Sequence, residues 1–130
     1  YTLSLHDALP ICRDTVDIYN PKTVRSTMGS LFRVPHLYTD DIAGEARELV
    51  KKGFTVAAAE LGADKMYDEP DYTGKVAVFI GNEGGGLRAE SVEAANEKII
   101  IPMCGKVESL NAAIAASVCM YEVRRQRRYV

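Results

Sequence analysis

The sequence has few cysteines and histidines and no tryptophan. Its 130 residues include three cysteines and two histidines. The cysteines, Cys12, Cys104 and Cys119, form no CxxC pair. An odd number of widely spaced cysteines supports neither a disulfide framework nor a zinc site. We therefore expect reduced cysteines that serve as packing residues, and no bound metal.

Long apolar runs are also absent, and neither sign of charge prevails. No stretch approaches the roughly 18 to 20 apolar residues that cross a bilayer, and no secretory leader pattern opens the chain. With 47% hydrophobic residues and a net charge of −2, the chain fits one globular cytoplasmic domain rather than a uniformly basic nucleic-acid coat. Four arginines lie within the last seven residues: Arg124, Arg125, Arg127 and Arg128. We expect them either to contact RNA or to complement the dipole of a helix that ends there.

The first eleven residues, YTLSLHDALPI, match the translation of a widely used sequencing adapter. We therefore expect residues 1–11 to be an adapter-derived artefact and residues 12–130 to be the domain. His6 and Asp7 accordingly receive no catalytic role.

From residue 14 onward, short apolar runs alternate with helical patterns, which predicts an α/β domain with a mainly parallel sheet flanked by helices. Asn20 and Pro21 indicate the cap and first residue of a short helix that continues through Met28. Asp40 or Asp41 can cap a second helix that stops at Gly53. The other predicted elements are strands at 54–59, 75–80 and 98–101, a loop at 61–74, a helix at 89–96 and a long final helix. The strand at 75–80 has the clearest pattern of a buried strand.

A glycine-rich turn, GNEGGGL at residues 81–87, directly follows the predicted strand 75–80. Open α/β sheets bind ligands at the carboxyl ends of their strands, and glycines let backbone amides approach a ligand closely. The turn is neither a Walker A loop nor a GxGxxG fingerprint. Glu83 is suited to hold a neighbouring hydroxyl or amide, whereas the purely structural alternative is a turn that needs positive φ angles.

A second stretch, IIIPMCGKVESLNAAIAASV at residues 99–118, joins a strand to the final helix through a loop. Ser109 and Asn111 stand at the predicted helix start, and helix capping by Ser109 is the structural alternative to a functional role. The predicted apolar stripe of this helix comprises Leu110, Ile114, Ser117, Val118 and Tyr121, and its alanines permit close approach of another backbone or subunit.

Together with NPKTVRSTMGSLFRVP at residues 20–35, these two stretches resemble the ordered motifs of the SpoU (TrmH-like) RNA 2'-O-ribose methyltransferases of the SPOUT superfamily. The resemblance covers residues 14–127. It implies a SPOUT fold in which the C-terminal segment makes a deep trefoil knot, and a homodimer formed through the knot and the final helix. It also implies transfer of a methyl group from S-adenosylmethionine to a ribose 2'-hydroxyl of tRNA or rRNA.

The resemblance also implies roles for individual residues. Ser109 and Asn111 match active-site positions that organise the reacting centre, and Glu83 matches one that fixes the knot loop. The cofactor-binding residues implied in the same way are Glu60, Gly81, Asn82, Ile101, Met103, Ser109 and Leu110.

The chain departs from the family pattern at its beginning. The family's first motif, an Asn-rich turn and a helix with an essential arginine, has no counterpart, and residues 1–11 stand in its place. Neither Arg13 nor Arg25 matches that arginine. We therefore expect the first strand and helix of the domain to be missing, which would leave the activity of this chain in doubt.

Two other functions remain open at this point. One is a non-catalytic α/β module that holds a nucleotide or phosphate through amides of the glycine-rich turn. The other is a dimerisation domain built on the alanine-rich final helix. The loop from Pro102 to Asn111 favours the methyltransferase. Neither the phosphate-binding module nor the dimerisation domain has a use for this loop.

Overall fold

The computed structural model describes residues 9–82, 84–107 and 109–128. The chain divides into two compact units, Tyr1–Ile42 and Ala43–Val130, which we call the N-terminal and C-terminal units. None of the helices among these residues is long and apolar enough to cross a membrane.

The N-terminal unit contains a parallel pair of strands, β1 (Leu9–Cys12) and β2 (His36–Thr39). Between them lie helix α1 (Pro21–Ser26) and a 3-10 turn (Ser30–Phe32). Strand β1 includes residues 9–11, which the sequence analysis set aside as adapter-derived. Those residues therefore take part in the fold of this chain, while their origin stays a prediction.

Helix α1 begins as predicted, since the Asn20 side chain accepts a hydrogen bond of 2.9 Å from the Lys22 amide and Pro21 is the first helical residue. It ends at Ser26, earlier than the predicted Met28. The reason is the backbone: Met28 has φ of 50° and Gly29 has φ of 86°, and two successive left-handed residues cannot continue a right-handed helix.

The C-terminal unit is built on a four-stranded parallel sheet, which confirms the predicted α/β class. Its strands are β3 (Thr55–Ala59), β4 (Lys65–Met66), β5 (Val76–Phe79) and β6 (Glu97–Ile100), in the order β4-β6-β3-β5. The helices are α2 (Ile42–Lys51, which begins at the last residue of the N-terminal unit), α3 (Ala89–Ala94) and α4 (Ala112–Arg127). Helix α2 is followed at Gly53 by the predicted left-handed residue, with φ of 81°.

Two predictions about the sheet were wrong. Residues 61–74 contain the short strand β4, which pairs with β6 and is too short and polar to be recognised from its pattern. Strand β5 is half-buried because it is an edge strand of the described sheet. The most buried strand is β3, in which Val56, Ala57 and Ala58 are inaccessible to solvent. Apolar composition does not reveal strand order, and strand order decides which strand is covered.

The core of this unit joins the sheet to α4 through Ala57, Tyr72, Ile99 and Cys119. The predicted apolar stripe of α4 was wrong, since Ile114 is 54% exposed and Tyr121 is 77% exposed. The residues of α4 that are buried are Cys119 and Glu122. The face that packs therefore includes a carboxylate, which requires polar partners.

Those partners form a latch, which we define as Glu122, Gln126 and Arg127 of α4 together with the backbone of residues 70–74. The Gln126 side chain accepts from the Tyr72 amide at 2.8 Å and donates to the Pro70 carbonyl at 3.1 Å and to Glu122 at 2.8 Å. Arg127 donates to the carbonyls of Tyr72 and Gly74. The latch thus satisfies backbone groups of a segment that lies outside the strands.

The arginine cluster at the end of α4 is partly used within the chain. Arg125 donates twice to Glu122, each at 2.8 Å, and this is the main reason why the pKa of that carboxyl lies below its ordinary value. Arg127 belongs to the latch. Arg125 and Arg127 thus have partners within the chain, while contact of the cluster with RNA stays a prediction.

Asn96 holds the start of β3, and its replacement by aspartate is expected to destabilise the C-terminal unit. Its side-chain oxygen accepts from the Val56 amide at 2.7 Å, and its NH₂ group donates to the Phe54 carbonyl at 3.1 Å. Asn96→Asp keeps the first bond but sets a carboxylate oxygen against the carbonyl, at a cost of about 1 kcal/mol or more in unfolding free energy.

Urea denaturation followed by circular dichroism measures this loss. The matched control is Asn20→Asp, because the exposed cap of α1 needs only a side-chain oxygen and aspartate supplies it. Equal stability of the two variants would contradict the role assigned to Asn96.

The cysteines are free, but only one is a buried packing residue, so the prediction that all three serve packing was wrong. Cys119 is buried, and burial raises the pKa of its thiol, whereas Cys104 is exposed. We expect a disulfide reagent such as DTNB to react rapidly with Cys104 and to reach Cys119 only on unfolding, because the thiolate is the reactive form. Cys104→Ser should remove the fast phase, and a fast phase lost in Cys119→Ser instead would contradict the burial.

Candidate active site

Three neighbouring parallel strands, β5, β3 and β6, end at the same edge of the sheet. The residues that follow them are Gly81 beyond β5, Glu60 beyond β3 and Ile101 beyond β6. The Glu60 amide donates to the Ile99 carbonyl at 3.0 Å, so its position is fixed against β6. Adjacent strands lie about 4.8 Å apart, which brings three of the predicted cofactor-binding positions to one edge.

The glycine-rich turn at this edge is organised by Asn82. The Asn82 side-chain oxygen accepts from the amides of Gly84 (3.1 Å) and Gly85 (2.6 Å), and its carbonyl accepts from the Gly86 amide at 3.0 Å. Gly86 has φ of 63°, a conformation that favours glycine. Three hydrogen bonds to Asn82 therefore close the turn.

Gly81 is the position where the turn folds back on itself. A Cβ atom there would lie 2.1 Å from the carbonyl carbon of Gly86 and 2.3 Å from the amide nitrogen of Leu87. Both contacts are with backbone, which cannot move aside as a flexible side chain could. The residue at this strand end must therefore be glycine for the turn to keep its shape.

The closed turn argues against the phosphate-binding alternative. A phosphate nest needs free amides that converge on the anion. The amides of Gly84, Gly85 and Gly86 instead donate to Asn82. These three amides are therefore not available to bind a phosphate.

The second loop, residues 101–111, runs from β6 to α4. Ile101, Met103 and Leu110 are half-buried in it, Ser109 is exposed, and Gly105 turns the chain with φ of 80°. Asn111 is the cap of α4, since its side-chain oxygen accepts from the amides of Ala113 (2.9 Å) and Ile114 (3.4 Å). The capping role that the sequence analysis offered for Ser109 therefore belongs to Asn111.

The predicted site residues consequently fall into two groups on the C-terminal unit. Glu60 and Ile101 directly follow β3 and β6, and Gly81 and Asn82 come after β5 with Ile80 between. Met103, Ser109, Leu110 and Asn111 lie in the loop that leads to α4. Glu83 lies outside the described residues. Within the part of the chain that is described, no group of three or more His, Cys, Asp or Glu side chains could hold a metal ion.

The chemistry of this edge suits an adenosine-like ligand. Half-buried apolar side chains of the second loop can cover an aromatic ring, and the closed turn can form a wall beside that ring. The Glu60 carboxylate has no side-chain partner among the described residues, and it can accept hydrogen bonds from ribose hydroxyls.

Sequence reasoning missed the organising role of Asn82 and the latch on α4. Asparagine followed two residues later by glycine is a known signal for a side-chain-closed turn, so the first could have been found. The latch had no such signal, because its partners are backbone groups some 50 residues away in the chain.

Comparison with known proteins places these features in a family. A family model described as the SpoU rRNA Methylase family matches residues 2–121. That match begins inside the segment 1–11. The chain is also 33% identical over 118 residues to the 23S rRNA (guanosine(2553)-2'-O)-methyltransferase RlmP of Bacillus subtilis, covering 91% of this chain and 47% of that protein.

Solved structures agree with this assignment. The SpoU methyltransferase AviRb from Streptomyces viridochromogenes, in complex with the cofactor AdoMet, superposes with a TM-score of 0.84 at 32% identity, covering 95% of this chain and 51% of that one. A structure that concerns the 2-OH methylation of C/U34 on tRNA superposes with a TM-score of 0.81 at 28% identity, covering 95% and 80%. The chain spans about half the length of the curated relatives it matches, for example 47% of RlmP.

Proposed function

This chain belongs to the SpoU rRNA Methylase family, and on that premise we propose that the protein transfers the methyl group of S-adenosylmethionine to a ribose 2'-hydroxyl of ribosomal or transfer RNA. The observation that carries the proposal is the placement of the two family-like loops, which follow β5 and β6 on either side of β3. The similar proteins that act on 23S rRNA and on tRNA support both RNA classes. Because these RNAs are cytoplasmic in bacteria, we propose the cytoplasm as the place of action.

The edge of the sheet is proposed as the cofactor site. S-adenosylmethionine supplies a methyl group that its sulfonium already activates. Glu60 would accept hydrogen bonds from the cofactor, and the turn that Asn82 organises would form one wall. The remaining contacts are proposed for Gly81, Ile101, Met103, Ser109 and Leu110.

The task left to the protein is to position the ribose hydroxyl in line with that methyl group and to ease loss of its proton. We propose that Ser109 and Asn111 organise the reacting centre and that Glu83 fixes the turn. The two hydrogen bonds that Asn111 receives from Ala113 and Ile114 hold its side chain in a defined orientation, which supports a positioning role.

The trefoil knot of the SPOUT fold is also proposed. Helix α4 packs against β5, although it follows β6 in the chain and β3 lies between those two strands. The connection from β6 to α4 therefore passes β3, the strand between β6 and β5. This crossing supports a threaded connection, which is rare among protein folds in general.

A homodimer through α4 is proposed as well. The exposed side of this helix carries Ile114, Met120 and Tyr121, which are apolar or aromatic and more than half exposed. Large exposed apolar and aromatic side chains on one helix are typical of a surface that another protein covers. Sedimentation analysis should give a dimer, and Tyr121→Glu should shift it toward monomer, whereas Val16→Glu at an exposed apolar position of the N-terminal unit should not.

Titration calorimetry with S-adenosylhomocysteine tests the cofactor site directly. We expect this ligand to bind the chain and adenosine triphosphate not to bind. Binding of the triphosphate alone would favour a phosphate-binding module and contradict the proposal.

Transfer itself is tested with S-adenosylmethionine carrying a labelled methyl group and with separate bacterial ribosomal and transfer RNA fractions. A methylated 2'-hydroxyl can no longer attack the adjacent phosphodiester. We therefore expect label in dinucleotides that survive alkaline hydrolysis. Label that is released with mononucleotides would place the methyl group on a base instead.

Asn111→Asp separates capping from a role at the reacting centre. Aspartate caps a helix as well as asparagine does, so the unfolding free energy should stay within about 0.5 kcal/mol of the parent. Methyl transfer should nevertheless fall at least 10-fold, because the side-chain NH₂ group is lost. Unchanged transfer would mean that Asn111 acts only as a helix cap.

A further inference from the structure

The N-terminal unit has an open cleft that the proposed cofactor site does not use. It measures about 400 Å³ and is lined by Tyr19 and by residues 31–36. The wall residues come from the segment before α1 and from the 3-10 turn that leads into β2. We call it the Tyr19 cleft.

Exposed aromatic surface is the first property of this cleft. Phe32 is 73% exposed and Tyr19 is 59% exposed. The Tyr19 ring is held by His36, with the ring centroids 6.2 Å apart, an edge-on geometry and 3.4 Å between the tyrosine oxygen and His36 Nε2. Aromatic faces that are both exposed and fixed in place are suited to stacking with a flat ligand.

Local positive charge is the second property. The chain as a whole has a net charge of −2, yet residues 18–39 contain no Asp or Glu and carry Lys22, Arg25 and Arg33. All three cations are exposed, and Arg33 lines the cleft. No ion pair joins Arg33 to another described residue. The carboxylates of the unit lie outside this stretch, and Asp40, for example, pairs with Arg13 at 3.1 Å.

The backbone that builds the cleft is strained. Met28 has φ of 50° and is 88% exposed, so no packing of its side chain explains the left-handed conformation. Met28 and Gly29 lie in the link between α1 and the 3-10 turn. Phe32 and Arg33, at the end of that turn, are exposed. A non-glycine residue in this conformation costs free energy and occurs preferentially at functional sites.

We propose that the Tyr19 cleft binds one unpaired nucleobase and its neighbouring phosphate in single-stranded RNA. The base stacks on the exposed ring of Phe32, beside Tyr19, and Arg33 holds the phosphate. Combined stacking and backbone charge is the way in which proteins bind single strands without reading their sequence. The inference rests on the proposed function in one respect, namely that RNA is the substrate.

Fluorescence anisotropy with a labelled decauridylate tests the proposal on the whole chain. Phe32→Ala should weaken binding about 10-fold, since stacking on one aromatic ring contributes on this scale. Arg33→Ala should weaken it as well and reduce the slope of log affinity against log salt by about 1. The matched controls are Val16→Ala and Lys52→Ala, an exposed apolar residue and an exposed cation outside the cleft, and neither should change the affinity.

Calorimetry with S-adenosylhomocysteine on the same variants separates the two proposals. Unchanged cofactor binding together with weakened RNA binding supports the cleft. Unchanged RNA binding in both cleft variants overturns it and leaves the proposed function standing. Absent cofactor binding in the parent, with RNA binding that still depends on Phe32 and Arg33, overturns the proposed function and leaves the cleft standing.

Cross-linking and sedimentation complete the test. Photo-cross-linking with 5-iodouridine in the same oligonucleotide should label peptides within residues 19–36, and labelling confined to other peptides would overturn the proposal. A change of oligomeric state in Phe32→Ala, without any change in RNA affinity, would identify the cleft as a contact between protein chains and would also overturn it.

Discussion

Replacing Gly81 with alanine is expected to abolish S-adenosylhomocysteine binding, weakening it by at least about 100-fold. The new methyl group would lie 2.1 Å from a backbone carbon of Gly86, far inside the van der Waals contact distance. Relief requires the turn to open, which breaks the hydrogen bond from the Gly86 amide to the Asn82 carbonyl. The wall of the proposed cofactor site then moves, because that wall is the turn itself.

Gly84→Ala is the matched control within the same turn. Among the described residues, a Cβ at that position would meet only the Asn82 side-chain oxygen, at 3.9 Å, and its backbone needs no left-handed conformation. Calorimetry should therefore give an affinity within about threefold of the parent for Gly84→Ala. If Gly81→Ala binds S-adenosylhomocysteine as the parent does, the turn is not part of the cofactor site.

The sequence was informative wherever a short pattern determines a local structure. Asn20 and Pro21 predicted the start of α1, and Gly53 predicted the residue at which α2 stops. The GNEGGGL turn was correctly placed at a strand end. In each case the physical cause lies within a few residues, namely a cap, a fixed φ angle or a left-handed glycine.

The predictions that were wrong depend on strand order and on contacts between residues far apart in the sequence. The run KVAVFI predicts a buried strand, but burial of β5 depends on which strands lie beside it. Strand β4 exists because β6 offers it a partner. The face of α4 that packs carries Gln126, whose side chain forms hydrogen bonds with the backbone of Tyr72 and Pro70. None of these causes is local in sequence.

For the candidate site, too, the sequence located the loops but did not show how their side chains are used. The resemblance located both loops, but it assigned Asn82 to the cofactor without showing that its side chain closes the turn. The residue pattern at the helix start offered Ser109 as the cap, a role that the structure gives to Asn111. The Tyr19 cleft was missed, although the absence of carboxylates from residues 18–39 was visible as a signal in the sequence.

Gln126→Glu is expected to lower the unfolding free energy by about 2 to 3 kcal/mol at pH 7. The amide it replaces donates to the Pro70 carbonyl and to the buried Glu122 carboxylate. An ionised carboxylate donates to neither, and it adds a second negative charge 2.8 Å from the first. Gln126→Met, which loses the hydrogen bonds without adding charge, should cost about half as much.

Between pH 7 and about pH 5 the unfolding free energy of the parent should stay flat, whereas that of Gln126→Glu should rise as the pH falls. In the parent the pKa of Glu122 lies below its ordinary 4.5, with the hydrogen bonds from Arg125 as the main cause. The stability contributed by this group is therefore fully present above pH 4.5 and is lost only as the pH falls through the lowered pKa.

In Gln126→Glu, repulsion between the two carboxylates raises the pKa of the pair in the folded state, so protonation restores stability as the pH falls toward 5. Urea denaturation at pH 7 and pH 5 measures both slopes, and Gln126→Met should show the parent's flat profile. A Gln126→Glu variant that loses stability between pH 7 and pH 5 would contradict the latch, because an introduced acid that repels Glu122 must gain from protonation.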